Sequence, residues 1–229
     1  MGLLLKNGRL LNLQHGELEA RDVLIEGDKI AKITAHGQLD EAGHEVHDLQ
    51  GQAILPGFID MHVHLRQPGF EAKETIATGT KAAARGGYTT IACMPNTRPV
   101  IDSPELIRYV YEVTEKEGSC TVLPYGAITK GELGEELSDY EGMKAAGAIG
   151  ITDDGVGVQS GAVMREAMKR AAALGLPAVI HSEDEDLAAP GYCINEGDVS
   201  RRLGLPGISG LAESVMIARD ILLAEDTGC

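Results

Sequence analysis

The chain has 229 residues, 43% of them hydrophobic and only 3% aromatic, with 29 glycines and no tryptophan. That suits one large domain, or one and a half smaller ones, of closely packed α/β units, and it excludes disorder over most of the length. A formal net charge of −15 excludes nucleic-acid and anionic-membrane partners, and it requires a local Arg or Lys to capture any anionic substrate.

Residues 1–53 read as short strands and turns: LLLKN, ARDVLIEG and DKIAKITAH, with Gly27-Asp28 as a hairpin turn between two alternating runs. From Ile54 onward strand and helix alternate. AILPGFIDMHVHL is an apolar strand ending in polar groups, followed by a helix over Glu74 to Arg85 that Gly86-Gly87 stops. YTTIACMPN is the second strand, and Ser103-Pro104 opens the next helix as N-cap and first helical residue. TVLPYGAIT, a helix over Ser138 to Ala146, AIGIT, a helix carrying Val163, Ala167, Met168, Ala171 and Leu174 on one face, and PAVIH follow in order. The methionines there read as core filler. A last amphipathic helix runs from Leu211 to about Glu225.

This repetition implies a parallel sheet with right-handed crossovers, as an open doubly wound sheet or a (β/α)8 barrel. No G-x-G-x-x-G follows any strand, which weakens a dinucleotide-binding sheet. A barrel takes about 250 residues, and only about five units fit here, so truncation before a sixth strand is expected.

The chemistry gathers where these strands end. His62 and His64 lie two apart on a strand and face the same way, about 6.5–7 Å apart at Cα. Two other strands run into Asp153-Asp154-Gly155 and into His181. Imidazoles and a carboxylate at neighbouring strand ends suit Zn²⁺ or a similar divalent ion, and a carboxylate able to bridge suggests two ions. Arg66 extends the face of His62 and His64 and is suited to gripping a carboxylate with two parallel hydrogen bonds. Asn96, in a loop stiffened by Pro95 and Pro99, offers a donor and an acceptor. His15, His36, His44 and His47 read as surface residues, and the acidic run Glu183 to Asp186 as a solvated loop. The four cysteines (Cys93, Cys120, Cys193, Cys229) form no paired framework. No signal-like segment or membrane-length apolar run is present, so the cytoplasm is the default compartment.

DMHVHLRQPG, ETIATGTKAAARGGYTTIACMPNTRP and GITDDGVGVQ together resemble the dihydroorotases of the bacterial type I class. The resemblance implies an α/β fold: a metal-dependent (β/α)8 TIM barrel, begun at residues 54–229 and incomplete here. Residues 1–53 would be part of a small β-sandwich domain. It implies that His62 and His64 bind a first zinc, that Asp154 bridges, that His181 binds a second, and that Arg66 and Asn96 hold the substrate carboxylate. The implied reaction interconverts dihydroorotate and N-carbamoyl-aspartate in pyrimidine synthesis. The family's remaining metal-binding His and its catalytic Asp would fall after Cys229, so this chain alone is expected to be inactive. Gln67 stands where an acidic residue is commoner. The rivals are a sister cyclic amidase (an allantoinase or a dihydropyrimidinase-like enzyme), which typically bridges its metals with a carboxylated Lys, and a non-catalytic partner of aspartate transcarbamoylase. A homodimer and a transcarbamoylase complex are both open as assemblies.

Overall fold

The computed structural model describes residues 1–188 and 190–229. They form an α/β structure of two compact units, residues Met1–Gly57 and Phe58–Cys229.

In the first unit, β1 (Leu3–Asn12), β2 (Glu17–Glu26), β3 (Lys29–Thr34), β4 (Glu45–Asp48) and β5 (Ala53–Ile54) make one mixed sheet. Its order is β3-β2-β1-β4, with β5 also paired to β1. The expected hairpin is present: Gly27 takes φ +62° and Glu26 pairs with Lys29. β1 slips register between Leu5 and Gly8, where Asn7 adopts φ +57°. The buried Asp22 carboxylate fixes that bulge by accepting the Asn7 N–H at 2.8 Å and the Gly37 N–H at 2.7 Å.

In the second unit, β6 (Phe58–Val63), β7 (Tyr88–Cys93) and β8 (Thr121–Pro124) form a parallel sheet in that order. The helices are α1 (Ile76–Arg85), α2 (Pro104–Glu117), α3 (Tyr140–Ala145), α4 (Gly161–Leu174), α5 (Asp198–Leu203) and α6 (Gly210–Thr227). The expected fourth and fifth strands, AIGIT and PAVIH, are reduced to single parallel bridges, Gly126 with Ile151 and Ile151 with Ala178. Proline explains the shortening, because Pro124 and Pro177 bring no N–H to a ladder. Both segments still extend the sheet in order: Ile149 N–H donates to the Pro124 carbonyl at 3.1 Å and Val179 N–H to that of Ile151 at 2.9 Å. Two short strands, β9 (Ile194–Asn195) and β10 (Gly207–Ile208), and the short helix α5 were not anticipated.

The helices start and stop for identifiable reasons. Thr75 caps α1 in a reciprocal pair with Thr78. Ser160 caps α4, whose end is turned by Gly175 at φ +64°. Ser103 precedes α2 as expected, with Pro104 first in the helix, but its hydroxyl makes no capping bond. The core between sheet and helices holds Ile76, Ile91, Ile107, Val122, Met143 and Ile151, and the α4 stripe of Met164, Ala167, Met168 and Ala171 packs into it. Each large side chain so buried contributes roughly 1.5–3 kcal/mol. Among the described residues no helix is long and apolar enough to cross a membrane.

Candidate metal centre

Four strand ends supply the site: β6 delivers two histidines, β7 an asparagine, and the two bridged segments that follow an aspartate and a histidine. His62 lies in β6 and His64 just beyond it, and their rings meet edge to face at 5.2 Å between centroids. The bridge at Ile151 carries the chain into Thr152, Asp153 and Asp154, all buried. Asp154 turns toward the histidines: its Oδ1 lies 3.3 Å from His62 Nε2, and its Oδ2 lies 3.6 Å from His64 Nε2. One donor atom from each of these residues falls within 4.8 Å of the others, a spacing that could hold a metal ion. His181 approaches the same carboxylate from the fifth segment, with Nδ1 4.0 Å from Asp154 Oδ1. Each Asp154 oxygen therefore faces a different imidazole set, Oδ1 toward His62 and His181 and Oδ2 toward His64. That donor set suits a divalent cation.

The adjacent carboxylate does something else. Asp153 points back into the fold, where Oδ1 accepts the N–H groups of Ile128 (2.7 Å) and Thr129 (3.1 Å) and Oδ2 accepts the Thr129 hydroxyl. Burial raises its pKa against those hydrogen bonds. Neighbouring residues at a strand end thus divide their work, one holding the β8 loop and one facing the histidines.

Asn96, from the loop after β7, ties the ligand candidates together. Its Nδ2 donates to Asp154 Oδ2 at 2.9 Å and to the Asp154 carbonyl at 3.2 Å, and its Oδ1 sits 3.1 Å from His64 Nδ1. Arg66 is not on the strand alternation. β6 ends at Val63, and Arg66 adopts φ +58°, so it does not extend the face of His62 and His64. Among the described residues its guanidinium has no ion-pair or hydrogen-bond partner, which leaves its fork available. Gln67 serves the scaffold, accepting the first N–H of α1 from Ile76 at 3.0 Å.

Two carboxylates escaped the sequence reading. Glu132, at φ +56°, is drawn in beside Asp153 and Asp154. Burial first, and then the charges of those two neighbours, push its carboxyl up to about 8. Glu183 is not part of a solvated loop: its side chain is half-buried, and Oε2 lies 3.5 Å from His181 Nε2. Its signal was its place two residues after a strand-end His. Glu132 offered none, because only the fold brings its loop to Asp153. Lys144 donates to the Leu174 carbonyl at the end of α4.

Residues 51–229 match the family described as Dihydro-orotase-like. Over its whole length the chain is 54% identical to a dihydroorotase of Brevibacillus brevis and 52% identical to one of Anoxybacillus flavithermus, covering 53% of each. It spans about half the length of the curated relatives it matches. Among solved structures it is similar to the L-hydantoinase (dihydropyrimidinase) of Arthrobacter aurescens, with a TM-score of 0.75 and 25% identity, covering 99% of this chain and 51% of that one. A likeness to the dihydropyrimidinase of Brevibacillus agri, TM-score 0.71 at 22% identity over 99% of this chain and 50% of the other, shows a shared fold. Strand-end histidines converging on one carboxylate and a match over residues 51–229 lead to one conclusion: the chain belongs to the dihydro-orotase-like family.

Proposed function

We propose that this protein acts as a dihydroorotase, interconverting dihydroorotate and N-carbamoyl-aspartate, with residues 54–229 as the opening part of a zinc-bearing (β/α)8 barrel. The observation that carries the reading is the convergence of His62, His64 and Asp154 within 4.8 Å, at the ends of parallel strands where barrel enzymes place their chemistry. His62 and His64 are assigned to a first zinc, His181 to a second, and Asp154 to both.

Bound zinc would supply Lewis acidity, polarising the ring amide carbonyl and making water acidic enough to attack it near neutral pH. The chain's own residues do the rest. Arg66 grips the substrate carboxylate with its unpaired guanidinium, a capture the strongly negative chain needs to provide locally. Asn96 is assigned to the same carboxylate; its amide donates to both the side chain and the carbonyl of Asp154, so it would exchange the longer bond, to that carbonyl, for the substrate. Holding the ring against a fixed pair of imidazoles converts an encounter into an oriented reaction. The proton shuttle is assigned to none of the residues described here.

A carboxylated Lys bridge, as in the sister cyclic amidases, is disfavoured because Asp154 already faces all three histidines while Lys144 is committed to Leu174. The test uses protein spanning the relatives' full length, loaded with zinc and given dihydroorotate, dihydrouracil, allantoin and hydantoin in parallel. Turnover of dihydroorotate well above the neutral rings is expected. Preference for a neutral ring would overturn the proposal.

A further inference from the structure

His181 is held between two carboxylates. Its Nδ1 faces Asp154 Oδ1 at 4.0 Å and its Nε2 faces Glu183 Oε2 at 3.5 Å. A neutral imidazole carries one proton, so whichever nitrogen keeps it cannot ligate a metal, and the partner of that nitrogen selects the tautomer.

The backbone around Glu183 is clamped from two sides. On one side Gln159 donates its amide to the Glu183 carbonyl at 3.0 Å and accepts the Glu185 N–H at 3.2 Å. Gly157 comes so close that a Cβ there would lie 2.6 Å from the His181 carbonyl oxygen. On the other side α6 supplies Met216, whose sulfur accepts the Glu183 N–H at 3.2 Å, and the Ala212 carbonyl, which accepts the Asp184 N–H at 3.1 Å. Arg219 of α6 secures the Gln159 loop in turn, donating to the carbonyls of Val158 and Gln159 at 2.9 Å. The Glu183 carboxylate is itself oriented: Oε1 accepts the Tyr192 hydroxyl, which leaves Oε2 for the imidazole.

We propose that Glu183 is a positioning residue: it takes the Nε2–H of His181, fixes that tautomer, and so presents Nδ1 toward Asp154 and the second cation. The role rests on the metal assignment made above. It predicts which nitrogen of His181 ligates, and it assigns Glu183 and Tyr192 a purpose that the sequence did not show.

The test has two arms. In metal-stripped, ¹⁵N-histidine-labelled protein held where His181 is neutral, the His181 signals, assigned by their loss in His181→Gln, should report an Nε2–H ring. In Glu183→Gln the population should shift toward Nδ1–H. In zinc competition against a chromophoric chelator, Glu183→Gln should weaken the His181-dependent zinc roughly tenfold to a hundredfold. Glu183→Asp should recover part of that loss, Tyr192→Phe should show a smaller one, and the zinc held by His62 and His64 should be unaffected. A His181 tautomer that is Nδ1–H in the unaltered protein, or that ignores Glu183→Gln, overturns this role alone. So does loss of the second zinc in Glu183→Gln with the tautomer unchanged, which would make Glu183 a ligand. An unaltered protein that takes up no zinc overturns the metal assignment itself, whatever the tautomer.

Discussion

Asp153 and Asp154 are one bond apart in the chain and have opposite surroundings. Replacing Asp154 with Ala removes the one side chain that faces all three histidines, so zinc content should fall sharply while the fold persists. Asp153→Ala should keep most of its zinc and instead lose stability, by roughly 1–3 kcal/mol, because two buried amide N–H groups lose their acceptor. Metal analysis alongside urea melts separates the two, and equal zinc loss in both would contradict the division. Arg66→Lys retains charge but loses the planar fork. It should lower kcat/KM for dihydroorotate by roughly 1–3 kcal/mol in transition-state terms with zinc content unchanged. Falling zinc content would make Arg66 a support of the metal site. The family resemblance singled out Asp154; the alternation of side chains at a strand end separates it from Asp153 without saying which faces the histidines. The same rule misplaced Arg66, because the chain leaves the strand at Val63 and a left-handed residue resets the direction.

The loops after β6 and β7 are joined by an unusually close backbone approach. Arg98 N–H donates to the Pro68 carbonyl at 2.9 Å, and at Gly69, with φ +93°, a Cβ would lie 1.9 Å from the Arg98 carbonyl oxygen. No rotamer change relieves a clash with backbone. Gly69→Ala should therefore cost at least about 1–3 kcal/mol, from the strained φ alone, and should displace Asn96 from His64. Thermal melts and the His64 ring resonances would report it, and an unperturbed protein would show that these loops yield easily. The helices that the sequence marked carry local signals, Pro104 opening α2 and Gly86 ending α1, and the caps Thr75, Ser160 and Gly175 seen in the structure likewise act within a turn. The fourth and fifth strands were placed correctly but shortened by Pro124 and Pro177. α5 and the β9–β10 pair were missed because elements so short present no period to read.

At the scale of the second unit, hydrophobic surface remains uncovered most extensively on β6 and α6. Among the described residues β6 pairs with β7 alone and exposes Phe58, Ile59 and Met61, and α6 exposes Ile217, Ile221 and Leu222. An open strand edge with apolar neighbours is an association site. The 229-residue chain should self-associate as concentration rises and bind a hydrophobic dye, and Ile59→Lys should reduce both. Sedimentation showing a monodisperse monomer at high concentration would contradict this. Such faces are legible in a sequence as apolar residues, yet whether anything covers them is not, since that is decided by chain distant in sequence.

Gln159 has a consequence for breathing motions. Because one amide side chain joins the loop after Asp154 to the loop after His181, and Arg219 rivets it to α6, neither loop can open alone without breaking the other's bonds. The Glu183 and Glu185 amide protons should therefore exchange with deuterium at nearly one rate, in a single cooperative opening. Gln159→Ala should uncouple them, freeing Glu185 while Glu183, still bonded to Met216, stays slow. Ligand loading would then be a concerted event, in which a cation arriving on one loop slows the exchange of both.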